Sequence, residues 1–247
     1  MTHSEPIHLR PTAALAERVL LPGDPGRALA LAQLLLDQPL MFNHHRGLWG
    51  YTGAASDGEP LTIQSTGMGG PSAAIVLHEL ISLGVTRAIR VGTCGALSET
   101  LALGELVVAR EAIAADGTSA ALGAGELTQA DPALVDALLR ALEPGQDRSA
   151  RQAGGHACHQ GRIVSTDLFY ESDERRNHQW VGAGAIAVEM EASSLFAVGA
   201  GAGIQMGCLL AVTDTFDGAG ARTRIDDDTL VGAVEAMGRA AVAALPA

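Results

Sequence analysis

Two carboxylates stand inside an apolar run. Residues 185–200 read AIAVEMEASSLFAVGA, with Glu189 and Glu191 on either side of Met190. A carboxylate buried without partners costs several kcal/mol or is forced neutral, so this pair has to hold something. Two arginines occupy comparable settings. Arg27 follows the turn Pro22-Gly23-Asp24-Pro25-Gly26, and Arg90 lies in the apolar run that leads to Gly92-Thr93-Cys94-Gly95. Glycine lets backbone approach a ligand, and a helix N-terminus offers free N–H groups to an anion. Arginine's planar fork matches a pair of phosphate oxygens. A buried Arg90 is satisfied by phosphate, with the Thr93 hydroxyl beside it, or by an internal acidic residue, and both readings stay open here.

A further glycine turn, Gly67-Met68-Gly69-Gly70-Pro71-Ser72, has part of a dinucleotide fingerprint, but Pro71 and Ser72 break it. Thr213-Asp214 closes another apolar run. Arginines for an anion, next to carboxylates that accept from vicinal hydroxyls, describe a ligand with a phosphate face and a polyol face. Glu191 is the candidate for the diol, and its charge becomes useful when the sugar turns cationic.

These residues need elements to position them. Short apolar runs read as strands over 18–22, 60–66, 86–92, 104–109, 186–189 and 207–213. Helical periodicity covers 26–37, 71–83, 132–142, 191–202 and 227–244, and Pro25, Pro71 and Pro132 sit at three helix starts. Residues 40–54 read as a hairpin, and 110–131 as a surface excursion without pattern. Alternating strands and helices predict an α/β fold, an α/β/α sandwich around a mixed sheet, with 1–247 as one domain. Ligands in such folds bind beyond the carboxyl ends of the strands, where the candidate residues fall.

Composition narrows the partners. The chain has 247 residues, 47% hydrophobic, with a formal charge of −12, which argues against nucleic acid or an anionic membrane as partner. The cysteines, Cys94, Cys158 and Cys208, form no CxxC pattern and suit a reducing, cytoplasmic setting. No apolar run is long enough to span a membrane.

The chain resembles the nucleoside phosphorylases of the purine nucleoside phosphorylase/uridine phosphorylase superfamily, in their bacterial hexameric branch. The motifs that carry the resemblance are LLPGDPGRA (20–28), HRGLWGYTG (45–53), STGMGGPSAAI (65–75), IRVGTCGAL (89–97), STDLFY (165–170), VEMEAS (188–193) and VTD (212–214). The resemblance implies a partly barrel-like sheet and phosphorolysis, in which phosphate attacks C1′ of a nucleoside to give free base and ribose 1-phosphate. It implies that Gly23, Arg27, Arg90 and Thr93 bind phosphate, joined by Arg46 of a neighbouring subunit. His8 would cross likewise to the sugar 5′-hydroxyl, while Met68, Met190 and Glu191 hold the ribose. Cys94, Gly95, Phe169, Val188 and Glu189 would line the base pocket, and Asp214 would protonate or hydrogen-bond the purine N7. Asp214, Glu191, Arg27 and Arg90 are thus the catalytic candidates. The implied assembly is a homohexamer, a trimer of dimers sharing Arg46 and His8 across the dimer interface. No metal and no organic cofactor is expected; inorganic phosphate is a co-substrate.

Within that superfamily, Thr93 and STGMGGPS are worded like the uridine enzymes. Those enzymes place a Gln and an Arg for uracil after the DxFY segment; here Glu171-Ser172-Asp173 follows instead. Asp214 favours purines, with Arg222 and Arg224 both candidates to assist it. Methylthioadenosine is a further substrate within reach. A nucleosidase would not need Arg27, Arg46 and Arg90, since water requires no anion site, and a non-catalytic nucleoside-binding module would not need Asp214. His156, Cys158 and His159 have metal-like letters without a completing partner. His44 and His45 shape the hairpin that carries Arg46, and the run Asp226-Asp227-Asp228 caps the last helix.

Overall fold

In the computed structural model, residues 6–143, 156–171, 173–216 and 221–246 are described. Among the described residues, five aspartates start helices by accepting an N–H from the first turn, as short oxygen-bearing side chains do at this position, and three of them open long helices. Asp24 accepts from Arg27 at 2.7 Å, Asp131 from Leu134 at 3.0 Å and Asp226 from Thr229 at 2.8 Å. They open α1 (Pro25–Leu35), α4 (Pro132–Leu142) and α7 (Asp227–Ala244). The other helices are α2 (Gly70–Ser82), α3 (Gly117–Ala121), α5 (Glu174–Gly182) and α6 (Ala192–Ala202).

Among the described residues eleven strands form one mixed sheet: β1 (Arg18–Leu21), β2 (Asp37–Asn43), β3 (Gly50–Ala54), β4 (Pro60–Gln64), β5 (Arg87–Ala96), β6 (Leu106–Ala115), β7 (Leu127–Gln129), β8 (Cys158–Thr166), β9 (Ala185–Glu189), β10 (Gln205–Phe216) and β11 (Arg222–Arg224). The order is β11-β10-β6-β8-β9-β5-β1-β4-β3-β2, and β10 also pairs with β5. That second pairing closes β5, β10, β6, β8 and β9 into a five-stranded barrel, the partly barrel-like sheet that was expected. β1, β4, β3 and β2 extend from β5 as an open sheet, through parallel β1 and β4 to the antiparallel β2–β3 hairpin, while β7 pairs with β6 and β11 with β10.

Helices cover both faces. Successive strand residues point to opposite sides. On β10, the side chain of Met206 packs at Gly199 of α6, whereas a Cβ on the adjacent Gly207 would meet Leu134 of α4. Thus α6, with α2 and α3, lies on one face, and α4, with α1 and α7, on the other. The core between them is aliphatic, built on Leu20, Ile63, Leu77, Ile89 and Leu106, with Phe42 and Phe196 as its largest fully buried side chains.

One expectation is corrected. Residues 110–131 are no surface excursion: β6 runs on to Ala115, β7 pairs with it, and Asp116 and Ser119 are buried. Ser119 hydrogen-bonds Ser193 at 2.8 Å, and Asp116 accepts from Ser194 at 2.9 Å, which ties this segment to α6. The strand β8 and the helix α5 were not foreseen.

Candidate active site

The carboxyl ends of β1, β4, β5, β9 and β10 open on one cleft of about 570 Å³. At its floor Arg90 is 3% exposed. Its Nε donates to Glu189 at 2.8 Å, and its Nη2 pairs with Glu191 at 2.5 Å. The guanidinium folds back over Gly92, where a Cβ would come within 2.7 Å of it, so any side chain there would push Arg90 off its carboxylates. Nη1 is buried without a hydrogen-bond partner in the described residues, and the backbone of Gly23 passes beside it. Of the two readings its sequence allowed, the structure shows the internal one: Arg90 is paired to both carboxylates, with only Nη1 left over among the described residues.

Arg27, in the first turn of α1, lines the same cleft. Burial, and then repulsion from Arg90, lower its guanidinium pKa against the opposing pull of Asp24 and Glu191. Two cations in that relation favour an anion between them. Gly23 lies at this end, beside Arg90, and Thr93 lines the same cleft.

Glu189 lines the cleft, but the protein engages both its oxygens. They accept from Arg90, from the Ser165 hydroxyl, and from the N–H groups of Glu191 at 2.8 Å and Ala192 at 2.9 Å. Burial raises its pKa and the Arg90 guanidinium opposes the rise. Glu189 thus joins the barrel to the start of α6, a helix end that favours negative charge. Glu191 accepts the Gly69 N–H at 2.6 Å. That N–H is presented by a backbone at φ +85°, a conformation glycine adopts without strain. Met190 and the 85% exposed Met68 flank Glu191 along the cleft.

The far end is built around Asp214. Its Oδ2 accepts from Thr213 and its Oδ1 from Arg222 Nε, both at 2.8 Å, while Arg224 approaches only to 3.6 Å. Of the two candidate arginines, Arg222 is the partner. Register alone does not set the choice: Arg224 lies directly opposite Asp214 on the antiparallel pair, yet Arg222, opposite Phe216, reaches diagonally to hydrogen-bond it. Arg222 also sits 4.7 Å from the Phe169 ring centroid, within cation–π reach. The hydrogen bond to Asp214 raises its pKa. Phe169, Val188, Cys94 and Gly95 line this end with residues that had not been singled out: Leu97, Trp180, Phe216 and Asn177. Leu97, Trp180 and Val188 belong to one small apolar cluster. Residues 217–220, part of the glycine-rich loop after Asp214, lie outside the described residues.

His8 and Arg46 do not line this cleft. They sit together elsewhere: His45 Nδ1 is 3.1 Å from the His8 carbonyl oxygen, and exposed Arg46 follows at φ +58°. His159 pairs with Glu105 at 2.8 Å.

A barrel-closed α/β sheet thus carries one cleft with two arginines toward one end, paired carboxylates in the middle and aromatic side chains at the other. The sequence matches the Phosphorylase superfamily over residues 17–246, and the chain belongs to that family. It is 37% identical over 212 residues to a DeoD-type purine nucleoside phosphorylase of Clostridium beijerinckii, covering 85% of this chain and 86% of that one. The corresponding protein of Alkaliphilus metalliredigens is 35% identical, covering 90% and 92%. A guanosine phosphorylase of Halorubrum lacusprofundi is 35% identical, covering 87% and 85%. Among solved structures, uridine phosphorylase from Vibrio fischeri superposes with a TM-score of 0.77 at 29% identity, covering 93% of this chain and 90% of that one.

Proposed function

We propose that this protein cleaves purine nucleosides by phosphorolysis, giving free base and pentose 1-phosphate. A phosphate oxygen bonds to C1′ as the C1′–N9 bond breaks, and that electron pair leaves with the purine. The observation that carries the reading is Arg90: two of its nitrogens are neutralised by Glu189 and Glu191, and the third is kept free beside Gly23 and Arg27. Phosphate is held by Arg27, Arg90, Thr93 and the backbone at Gly23. Glu191 holds the sugar hydroxyls and stabilises the oxocarbenium-like centre electrostatically. The base lies against Phe169, Val188, Cys94 and Gly95, and Asp214 serves the purine N7, a step worth about 10²–10⁴-fold when a proton is supplied in the transition state. Glu189, with both oxygens engaged, acts by fixing Arg90 rather than by touching the base. No metal or organic cofactor enters, and inorganic phosphate is the co-substrate.

The Asp214–Arg222 pair at the aromatic end supports purines over uridine, in line with the purine and guanosine phosphorylases among the relatives. The position of His8 and Arg46 supports their service to a neighbouring copy. Around them Ile7 is 69% exposed, Trp49 38% and Ile75 39%, an apolar surface suited to burial in a homodimer. The family resemblance extends this to a hexamer built as a trimer of dimers, working in the cytoplasm. The direct test is ³¹P NMR of inosine with phosphate, with hypoxanthine followed by absorbance: a new sugar 1-phosphate resonance must grow in step with hypoxanthine, and hypoxanthine formed without it would overturn the reading.

A further inference from the structure

Glu79 lies near the end of α2, away from the cleft, and carries an unusual concentration of hydrogen bonds. Its two oxygens accept from the backbone N–H groups of Ile7, His8 and Leu9 at 3.0, 3.0 and 2.7 Å, and its Oε1 lies 2.7 Å from His8 Nδ1. Three successive N–H groups converging on one carboxylate fix both the path of this segment and the place of the ring. Burial pushes the Glu79 carboxyl up. The N–H groups of His8 and Leu9, the His8 ring and the Ile7 N–H outweigh that and hold it below the usual carboxylate range. Glu79 is therefore ionised and can only accept, so Nδ1 must be the donor of their shared hydrogen bond. A neutral ring with its proton on Nδ1 has an acceptor at Nε2. His45 Nδ1 touches the His8 carbonyl oxygen, so the turn carrying Arg46 is referenced to the same anchored segment.

We infer that Glu79 is a positioning residue for substrate selectivity: it holds His8 so that Nε2 meets the 5′-hydroxyl of a nucleoside in the neighbouring protomer's cleft. The inference rests on the proposed service of His8 across the interface. It also names the substrate class: nucleosides with a free 5′-hydroxyl gain from Glu79, while 5′-deoxy and 5′-methylthio nucleosides do not.

The test is steady-state phosphorolysis of inosine and 5′-deoxyinosine by the full-length protein and by E79Q, H8A and H8A/E79Q. E79Q should lower kcat/KM for inosine by about 3- to 10-fold, the scale of one neutral hydrogen bond, with 5′-deoxyinosine nearly unchanged. H8A should do the same, and the double variant no more than H8A alone. If E79Q fails to fold, Glu79→Asp answers the same question, because it keeps the charge but draws it back from the ring. Equal losses on both substrates in E79Q or Glu79→Asp would reduce Glu79 to a structural anchor and overturn the inference. Selectivity lost in H8A but kept in E79Q would also overturn it, while leaving the interface reading of His8 intact. If H8A itself treats the two substrates alike, both readings fall together.

Discussion

Replacing Glu189 by glutamine separates a structural carboxylate from a base-contacting one. The side chain is fully buried and accepts from Arg90, Ser165 and two N–H groups at the start of α6. Glutamine keeps the shape but turns one acceptor oxygen into an NH₂ donor that faces donors. Breaking a buried ion pair from one side costs roughly 3–5 kcal/mol. Arg90 still has Glu191 at 2.5 Å, so the lower end, about 3 kcal/mol, applies. For a chain of this size that corresponds to a fall in melting temperature of about 6–12 °C. Protein and phosphate concentrations must be held fixed, since both shift the transition. A loosened Arg90 should also raise the KM for phosphate, by up to about tenfold for each 1.4 kcal/mol lost, while the ratio of inosine to adenosine turnover stays put. An unchanged melting temperature with an altered base ratio would refute this reasoning and return Glu189 to the base pocket.

Further expectations follow from the other end of the cleft and from its thiol. Asp214→Asn removes the acid for N7 and should lower kcat for inosine by about 10²–10⁴-fold with little change in phosphate KM, read by base release at saturating phosphate. Arg222→Met should lower kcat clearly more than Arg224→Met does, since only Arg222 is hydrogen-bonded to Asp214; equal effects would contradict the 2.8 versus 3.6 Å distances. Burial raises the Cys94 thiol pKa, Glu189 adds to the rise and Arg90 opposes it, so Cys94 should resist iodoacetamide at pH 8 in peptide-mapping mass spectrometry. Rapid labelling there would show that the cleft floor is wetter than described. Arg46→Ala should raise phosphate KM if neighbouring copies exchange this residue, and mixing it with an Arg27→Ala variant should restore some activity through hybrid dimers.

Much of the scaffold was legible because its elements carry strong local signals. The Asp-Pro starts of α4 and α1 and the aspartate before α7 fix helix boundaries closely, as does the Gly-Gly-Pro entry to α2. Strands buried on both faces, such as β1 and the middle of β10, show as continuous apolar runs. The second half of β6 did not, because its Ala-rich segment has no contrast between faces and its partners are β7 and β8. In β8 the polar residues Gln160, Arg162 and Ser165 dilute the strand pattern; Arg162 pairs with Glu111 of β6, and Ser165 reaches Glu189. The helix α5 buries only Trp180 among its described side chains, so no apolar stripe announces it. In the site, residue types pointed to an anion, a diol and a base, but not to how they interlock. Arg90 meets carboxylates 99 and 101 positions away, and no local pattern shows which one it chooses; it takes both. The choice of Arg222 over Arg224 depends on a diagonal reach across a three-residue strand pair, which residue types alone do not show.

Phosphate dependence of base release is the measurement that bears most directly on the proposed reaction. Inosine, guanosine, adenosine and uridine are each assayed with and without inorganic phosphate. Phosphorolysis through Arg27, Arg90 and Asp214 predicts that purine release needs phosphate and far exceeds uracil release from uridine. Base release at the same rate in phosphate-free buffer, or uridine as the best substrate, would contradict it.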